Sequence, residues 1–262
     1  MHRSSPLLPT VVLVHGAFAD ASSWAGVAAR LRADGLAVHT PANPLRGLAH
    51  DADRIGSVVR ALDGPVVLVG HDYGGAVITQ PAAGGADHVV ALCYVAAFGP
   101  DAGESVLDVA DRFPPAPVAD ATLTVTLPAR PPDGPRRALT VRGERFPELY
   151  AADLPPAARE AAGGARHPIA CRALTEPSGP PAWAAKPSWY AIATADRIVN
   201  PTAQRFMAQR MAATEHVLDA SHALALSRPD AVAGMIREAA GLTRLPPWCF
   251  PDTPGGRPTW GV

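Results

Sequence analysis

Residues 70–75 read Gly70-His71-Asp72-Tyr73-Gly74-Gly75, between the apolar run Val66-Val67-Leu68-Val69 and the helical stretch Ala76-Val77-Ile78. A reactive side chain flanked two residues away on both sides by glycine, between a buried strand and a helix, is the pattern of a nucleophile elbow. The glycines answer a turn too tight for side chains and a helix that must pass close to its neighbours. The residue at the nucleophile position is Asp72. A carboxylate there cannot perform acyl transfer as a serine hydroxyl does. It can attack a saturated carbon and form an alkyl ester on the protein.

Strand and helix signals alternate around this unit. Thr10–Val14 is a short β-branched run, and Trp24, Val27, Ala28 and Leu31 follow at helical spacing. Leu36–Thr40 reads as a strand, Ile55 to Leu62 as a helix, and Val89–Val95 as a further buried strand. Such alternation predicts a mostly parallel sheet with helices on both faces. It stops at Gly99 and resumes near residue 187. Between lie many prolines, a period-two run (Leu123, Val125, Leu127) that suggests a hairpin, and helical pieces around Phe146–Ala152 and Ala157–Ala162. Residues 100–186 therefore read as a cap inserted between two halves of a core, 1–99 and 187–244. Beyond the insert, Trp189–Ala193 and Val217–Leu218 are expected strands. Pro201–Met211 is an expected helix with Asn200 as its N-cap. A last helix runs from Val232 to Ala239, with Ser227 and Asp230 at capping-box spacing. The proline-rich tail, 245–262, carries Trp248, Phe250 and Trp260, a reason to expect it to pack on the body or on a partner.

Composition narrows the function. A formal net charge of −1 leaves no basic field to hold nucleic acid or an anionic membrane. The longest nearly apolar stretch, Val89 to Phe98, is too short to span a bilayer. No signal-peptide pattern precedes the first strand, and Cys93, Cys171 and Cys249 match no zinc or redox spacing. Buried thiols in a cytoplasmic protein, with no metal and no cofactor, are the expectation.

Three further pieces complete a site in the chain order nucleophile, acid, histidine. Asp196 lies just past one expected strand and His222 just past the next, both at the carboxyl edge where parallel sheets place their sites. After the first strand, Gly16 lets the chain turn so that the Ala17 N–H can join the Tyr73 N–H in an oxyanion hole, with Phe18 beside them. His15 and His71 read as loop-holding histidines, and Asp20 and Asp101 as loop residues, Asp101 being the reserve acid. Asp72 is expected to face His222, with Asp196 on the imidazole's other nitrogen.

The segments Val11–Trp24, Val66–Gly75, Tyr94–Pro100, Trp189–Pro201 and Asp219–Leu226 resemble the α/β-hydrolase superfamily, in its branch of small bacterial hydrolases and plant esterases and hydroxynitrile lyases. The resemblance implies that fold, with Asp72 as nucleophile, His222 as base, Asp196 as its orienting acid, and Ala17 and Tyr73 as oxyanion donors. The departure is Asp72, where that branch carries serine. Aspartate here is used by the superfamily's epoxide hydrolases and haloalkane dehalogenases. Those dehalogenases commonly bind halide through a tryptophan directly after the aspartate, and here that residue is Tyr73. Epoxide opening needs a hydrogen-bond donor from the cap. Tyr150 is the tyrosine within it, with Trp183 and Trp189 as further candidates.

The expected activity is hydrolysis of an epoxide on a bulky apolar small molecule, of a kind found in secondary metabolism, through an Asp72 ester. The alternatives are a haloalkane dehalogenase, a cofactor-independent cyclase or isomerase with Asp72 as general base, and a small-molecule binding protein that keeps the pocket without the chemistry. The sequence does not fix the oligomeric state.

Overall fold

Apolar β-branched runs pair in register to make the centre of the molecule. The computed structural model describes residues 8–128, 136–162 and 167–242. The first half of the core comprises β1 (Thr10–Val14), α1 (Ala25–Ala33), β2 (Val38–His39), α2 (Leu48–Arg60), β3 (Val66–His71), α3 (Tyr73–Thr79), α4 (Pro81–Gly84) and β4 (Val89–Val95). There follow α5 (Val106–Ala110), β5 (Thr122–Leu127), β6 (Arg136–Val141), α6 (Phe146–Tyr150), α7 (Pro156–Ala162), β7 (Ile169–Ala170) and α8 (Cys171–Thr175). The core resumes with β8 (Ser188–Ala193), α9 (Pro201–Arg210), β9 (Thr214–Leu218), α10 (Leu224–Ser227) and α11 (Pro229–Ala239).

The six core strands form one sheet in the order β2-β1-β3-β4-β8-β9, every pair parallel. All six residues of β3 are buried, which is why it reads as an unbroken apolar run rather than an alternating one. Ile55 and Val59 of α2, Val77 of α3 and Met207 of α9 cover one face. Val27 and Leu31 of α1 and Val232 and Ile236 of α11 cover the other.

The insert between β4 and β8 makes its own antiparallel sheet, β5-β6-β7, and none of its strands joins the large one. Leu127 pairs with Arg136 and Thr122 with Val141 in the hairpin that the period-two run suggested. Strand β7 has two residues, too few to leave a period in sequence. Phe146, Leu149, Tyr150 and Ile169 of the insert share the apolar cluster of Val77 and Leu92, so it is packed onto the core.

Some local expectations are corrected. The Ser227–Asp230 capping box does not form: Arg228 is the N-cap of α11, without a side-chain bond, and Pro229 sets the first helical residue. Cys93 is buried, but Cys171 is only half-buried. Cys249 and the tail 245–262 lie outside the described residues. Among the described residues no helix is long and apolar enough to cross a membrane.

Candidate active site

The elbow holds Asp72 in a conformation that an ordinary residue avoids. Its φ is +51°, in the left-handed region, which is tolerable when the surroundings over-determine it. Here they do: the Asp72 carbonyl accepts from the N–H groups of Gly75 and Phe98, each at 3.0 Å. A Cβ on Gly16 would collide with the Asp72 side chain, and one on Gly74 with the Val14 carbonyl. The absence of side chains at those two glycines therefore seats the elbow against the loop after β1.

That loop supplies the amides. The Ala17 N–H donates to Asp72 Oδ2 at 2.8 Å, and the Tyr73 amide also favours the ionised Asp72 carboxylate. Asp72 is buried, at 3% exposure. Burial raises its pKa above the usual carboxylate value, against the opposing pull of His222 and these two amides.

Asp196 and His222 meet across the loops after β8 and β9. His222 Nδ1–H donates to Asp196 Oδ2 at 2.8 Å, and both side chains are buried. Burial alone would push the imidazolium pKa down, but the charges of Asp196 and Asp72 outweigh it and the net shift is upward. Among the described residues no hydrogen bond joins Asp72 to His222; the two are coupled by charge. His71 packs beside His222 with ring centroids 4.5 Å apart, and donates from Nε2 to the His222 carbonyl at 3.1 Å. Burial, then the neighbouring His222, holds the His71 pKa well down. His15 accepts from the Asn43 N–H at Nε2 and donates to the Gly16 carbonyl from Nδ1. Both of these histidines tie loops together.

Tyr73 and Asp51 form a pair that local sequence does not announce. The Tyr73 hydroxyl donates to Asp51 Oδ2 at 2.9 Å, and Asp51 also accepts from the Arg46 and Gly47 N–H groups. The Tyr73 hydroxyl is thus turned away from the nucleophile.

A cavity of about 510 Å³ opens over Asp72, Ala17 and Tyr73. Phe18, Phe98, Phe113, Leu139, Ile169 and Leu174 give it an apolar wall drawn from both core and insert. Of its polar wall groups, Asn200 bonds Thr202 N and the Pro114 carbonyl and Thr122 the Val118 carbonyl, while the carboxylate of Asp111 also lines it.

Of the aromatic residues expected to bind substrate, Phe18 lines this cavity and the others do not. Tyr150 lies against His222, ring centroids 5.5 Å apart, and borders a separate hollow of about 340 Å³ with Ala19, Asp20, Ser22 and Leu226. Its hydroxyl has no hydrogen-bond partner among the described residues. Burial, reinforced first by the charge of Asp72, pushes its pKa up, so it stays protonated. Trp183 is a correction: its indole N–H donates to the Pro100 carbonyl at 3.3 Å and its ring carries Arg210, so it fastens the insert to the core. Trp189 is another, because its place on β8 directs it to the opposite face, against the cluster of α1 and α11. Asp101 accepts the Ala102 N–H in a loop and takes no part in the His222 pair. Among the described residues no group of three or more His, Cys, Asp or Glu side chains is placed to hold a metal ion.

Comparison with known proteins agrees with the architecture. Residues 11–235 match the model of the Alpha/beta hydrolase family, and the chain belongs to that family. A carbendazim-hydrolyzing esterase of Nocardioides sp. (strain SG-4G) is 33% identical over 120 residues, 41% of this chain and 50% of that protein. The chain thus spans half the length of that relative. The structure of a pyrethroid hydrolase from Sphingobium faniae JZ-2 superposes with a TM-score of 0.74 at 22% identity, over 90% of this chain and 99% of that one. A methylesterase from Arabidopsis gives 0.72 at 18%, over 89% and 99%. At these identities the structural likeness speaks for the fold.

Proposed function

We propose that this chain is a hydrolase that opens an epoxide on an apolar small molecule through an alkyl ester on Asp72. The observation that carries the reading is the contact of Asp72 Oδ2 with the Ala17 N–H. A serine esterase keeps its oxyanion hole free for the substrate's carbonyl oxygen. Here the hole holds the carboxylate of the elbow residue itself. If Asp72 is alkylated on its other oxygen, the ester carbonyl already sits where negative charge develops when water attacks, which is where such donors act.

The steps balance. An oxygen of Asp72 attacks a ring carbon, the carbon–oxygen bond breaks, and the ring oxygen takes a proton from Tyr150. Water then attacks the ester carbonyl and gives a proton to His222, whose imidazolium is stabilised by Asp196. The tetrahedral intermediate collapses, the product oxygen takes the proton from His222, and the refilled Asp72 carboxyl returns its proton to Tyr150. Tyr150 borders the neighbouring hollow rather than the cavity over Asp72, so the donor role requires its hydroxyl to turn toward the ring oxygen; its ring against His222 and its protonated state support that role. The commitment of the Tyr73 hydroxyl to Asp51 favours epoxide over halide, because it leaves no side-chain donor for halide directly after the nucleophile. The 510 Å³ cavity and its aromatic wall suit an uncharged, bulky substrate.

The test is intact-mass spectrometry of His222→Ala with a panel of aryl and polycyclic epoxides. A gain of one substrate mass, located by digestion to the peptide carrying Asp72, is expected. Tyr150→Phe introduced into that variant should slow adduct formation by roughly 10²-fold or more. Bound substrate with no adduct would remove the covalent mechanism.

A further inference from the structure

The Asp196 carboxylate is held by more than His222. Its Oδ1 accepts from the Ile198 N–H at 2.7 Å and the Val199 N–H at 2.9 Å. Its Oδ2, the oxygen that faces His222, also accepts from Gln204 Nε2 at 2.7 Å. Gln204 is wholly buried on α9. Its Nε2 donates a second time, to the Val199 carbonyl at 2.9 Å, and its Oε1 accepts the Ala193 N–H at 2.9 Å. All three side-chain bonds of this amide thus run to the end of β8 and to the loop that carries Asp196.

We infer that Gln204 is a positioning residue that acts through Asp196: it fixes the plane of the carboxylate and, by sharing Oδ2, limits how strongly that oxygen draws a proton onto His222. The groups facing His222 are Asp196 from the loop after β8, Asp72 from the elbow, His71 from β3 and Tyr150 from α6. Two of the four are carboxylates, and both favour the imidazolium. A base that must take a proton from water has to be neutral at the working pH. A neutral donor on Oδ2 withdraws part of the carboxylate's charge from His222 without adding a cation to the site.

The importance of this arrangement for turnover rests on the hydrolase reading, but its physical content can be measured without substrate. In protein labelled with ¹³C,¹⁵N-histidine, the His222 ring should titrate about one pH unit higher in Gln204→Met than in the unsubstituted chain. His216, whose ring lies against Glu238 away from the site, should be unmoved. In the unsubstituted chain, the Gln204 side-chain amide resonance should move with the His222 titration, a measurement that needs no variant. With the epoxide that forms an adduct, Gln204→Met should shift the acid limb of adduct hydrolysis upward and leave adduct formation within about twofold. A His222 titration unchanged in Gln204→Met, or a Gln204 amide insensitive to it, would overturn the positioning role whatever the reaction proves to be. An upward titration in a protein that forms no adduct would keep Gln204's role and discard the hydrolase.

Discussion

At the scale of the residue, the site concentrates charge where the fold offers little water. Asp72 is buried, its backbone is held at positive φ, and its pKa is raised by desolvation. A carboxyl whose folded pKa lies above its unfolded one contributes stability that is fully present below the unfolded value and is lost as pH rises through the folded value. Asp72→Asn removes that loss and keeps a side-chain oxygen for the Ala17 N–H. The variant should be inactive yet more stable at pH 7, by roughly 0.5–2 kcal/mol, as trade-offs between stability and activity commonly run. Its advantage should shrink as pH is lowered toward 4, because the parent carboxyl then protonates. Thermal melts of both proteins across that range check the sign. Equal stability at pH 7 would mean that the amides and His222 fully offset the burial of Asp72.

At the scale of the element, each site group sits where a strand ends. The turn after β1 brings Ala17, the turn after β3 brings Asp72, and the loops after β8 and β9 bring Asp196 and His222. This much was legible because glycine spacing, apolar runs and chain order are local signals. The Asp51–Tyr73 and Gln204–Asp196 pairs were not, since each joins side chains on different elements and leaves no period. Trp183 and Trp189 misled for the same reason: aromatic identity says nothing about the direction a ring takes from its strand or turn. The N-cap of α9 was readable, as Asn200 precedes a proline at the first helical position and accepts from Thr202 N at 2.8 Å. Asn200 Nδ2 also holds the Pro114 carbonyl on the cavity wall. Asn200→Ala should therefore destabilise the protein by about 1 kcal/mol, typical of a lost cap, measurable as a lower midpoint in urea. A midpoint unchanged from the parent would show that neither bond contributes.

At the scale of the whole molecule, a parallel sheet buried on both faces holds the elbow, and the insert packs onto the core and lines the same cavity. Phe146, Tyr150 and Ile169 bind the two into one apolar cluster, while Arg210, stacked on Trp183 and Phe206 and paired with Glu104, ties the start of the insert to α9. The cavity wall is thereby shared between insert and core, so the space over Asp72 is bounded by two surfaces that pack together. Within that enclosure the origin of the product's new oxygen separates nucleophile from base. A single turnover in ¹⁸O-water, with enzyme in excess over epoxide, should give unlabelled diol, because the first oxygen transferred comes from the Asp72 carboxylate itself. Repeated turnover should give labelled diol, and digestion should then find ¹⁸O in Asp72. Diol fully labelled in the first turnover would contradict the covalent mechanism and make Asp72 a base that activates water.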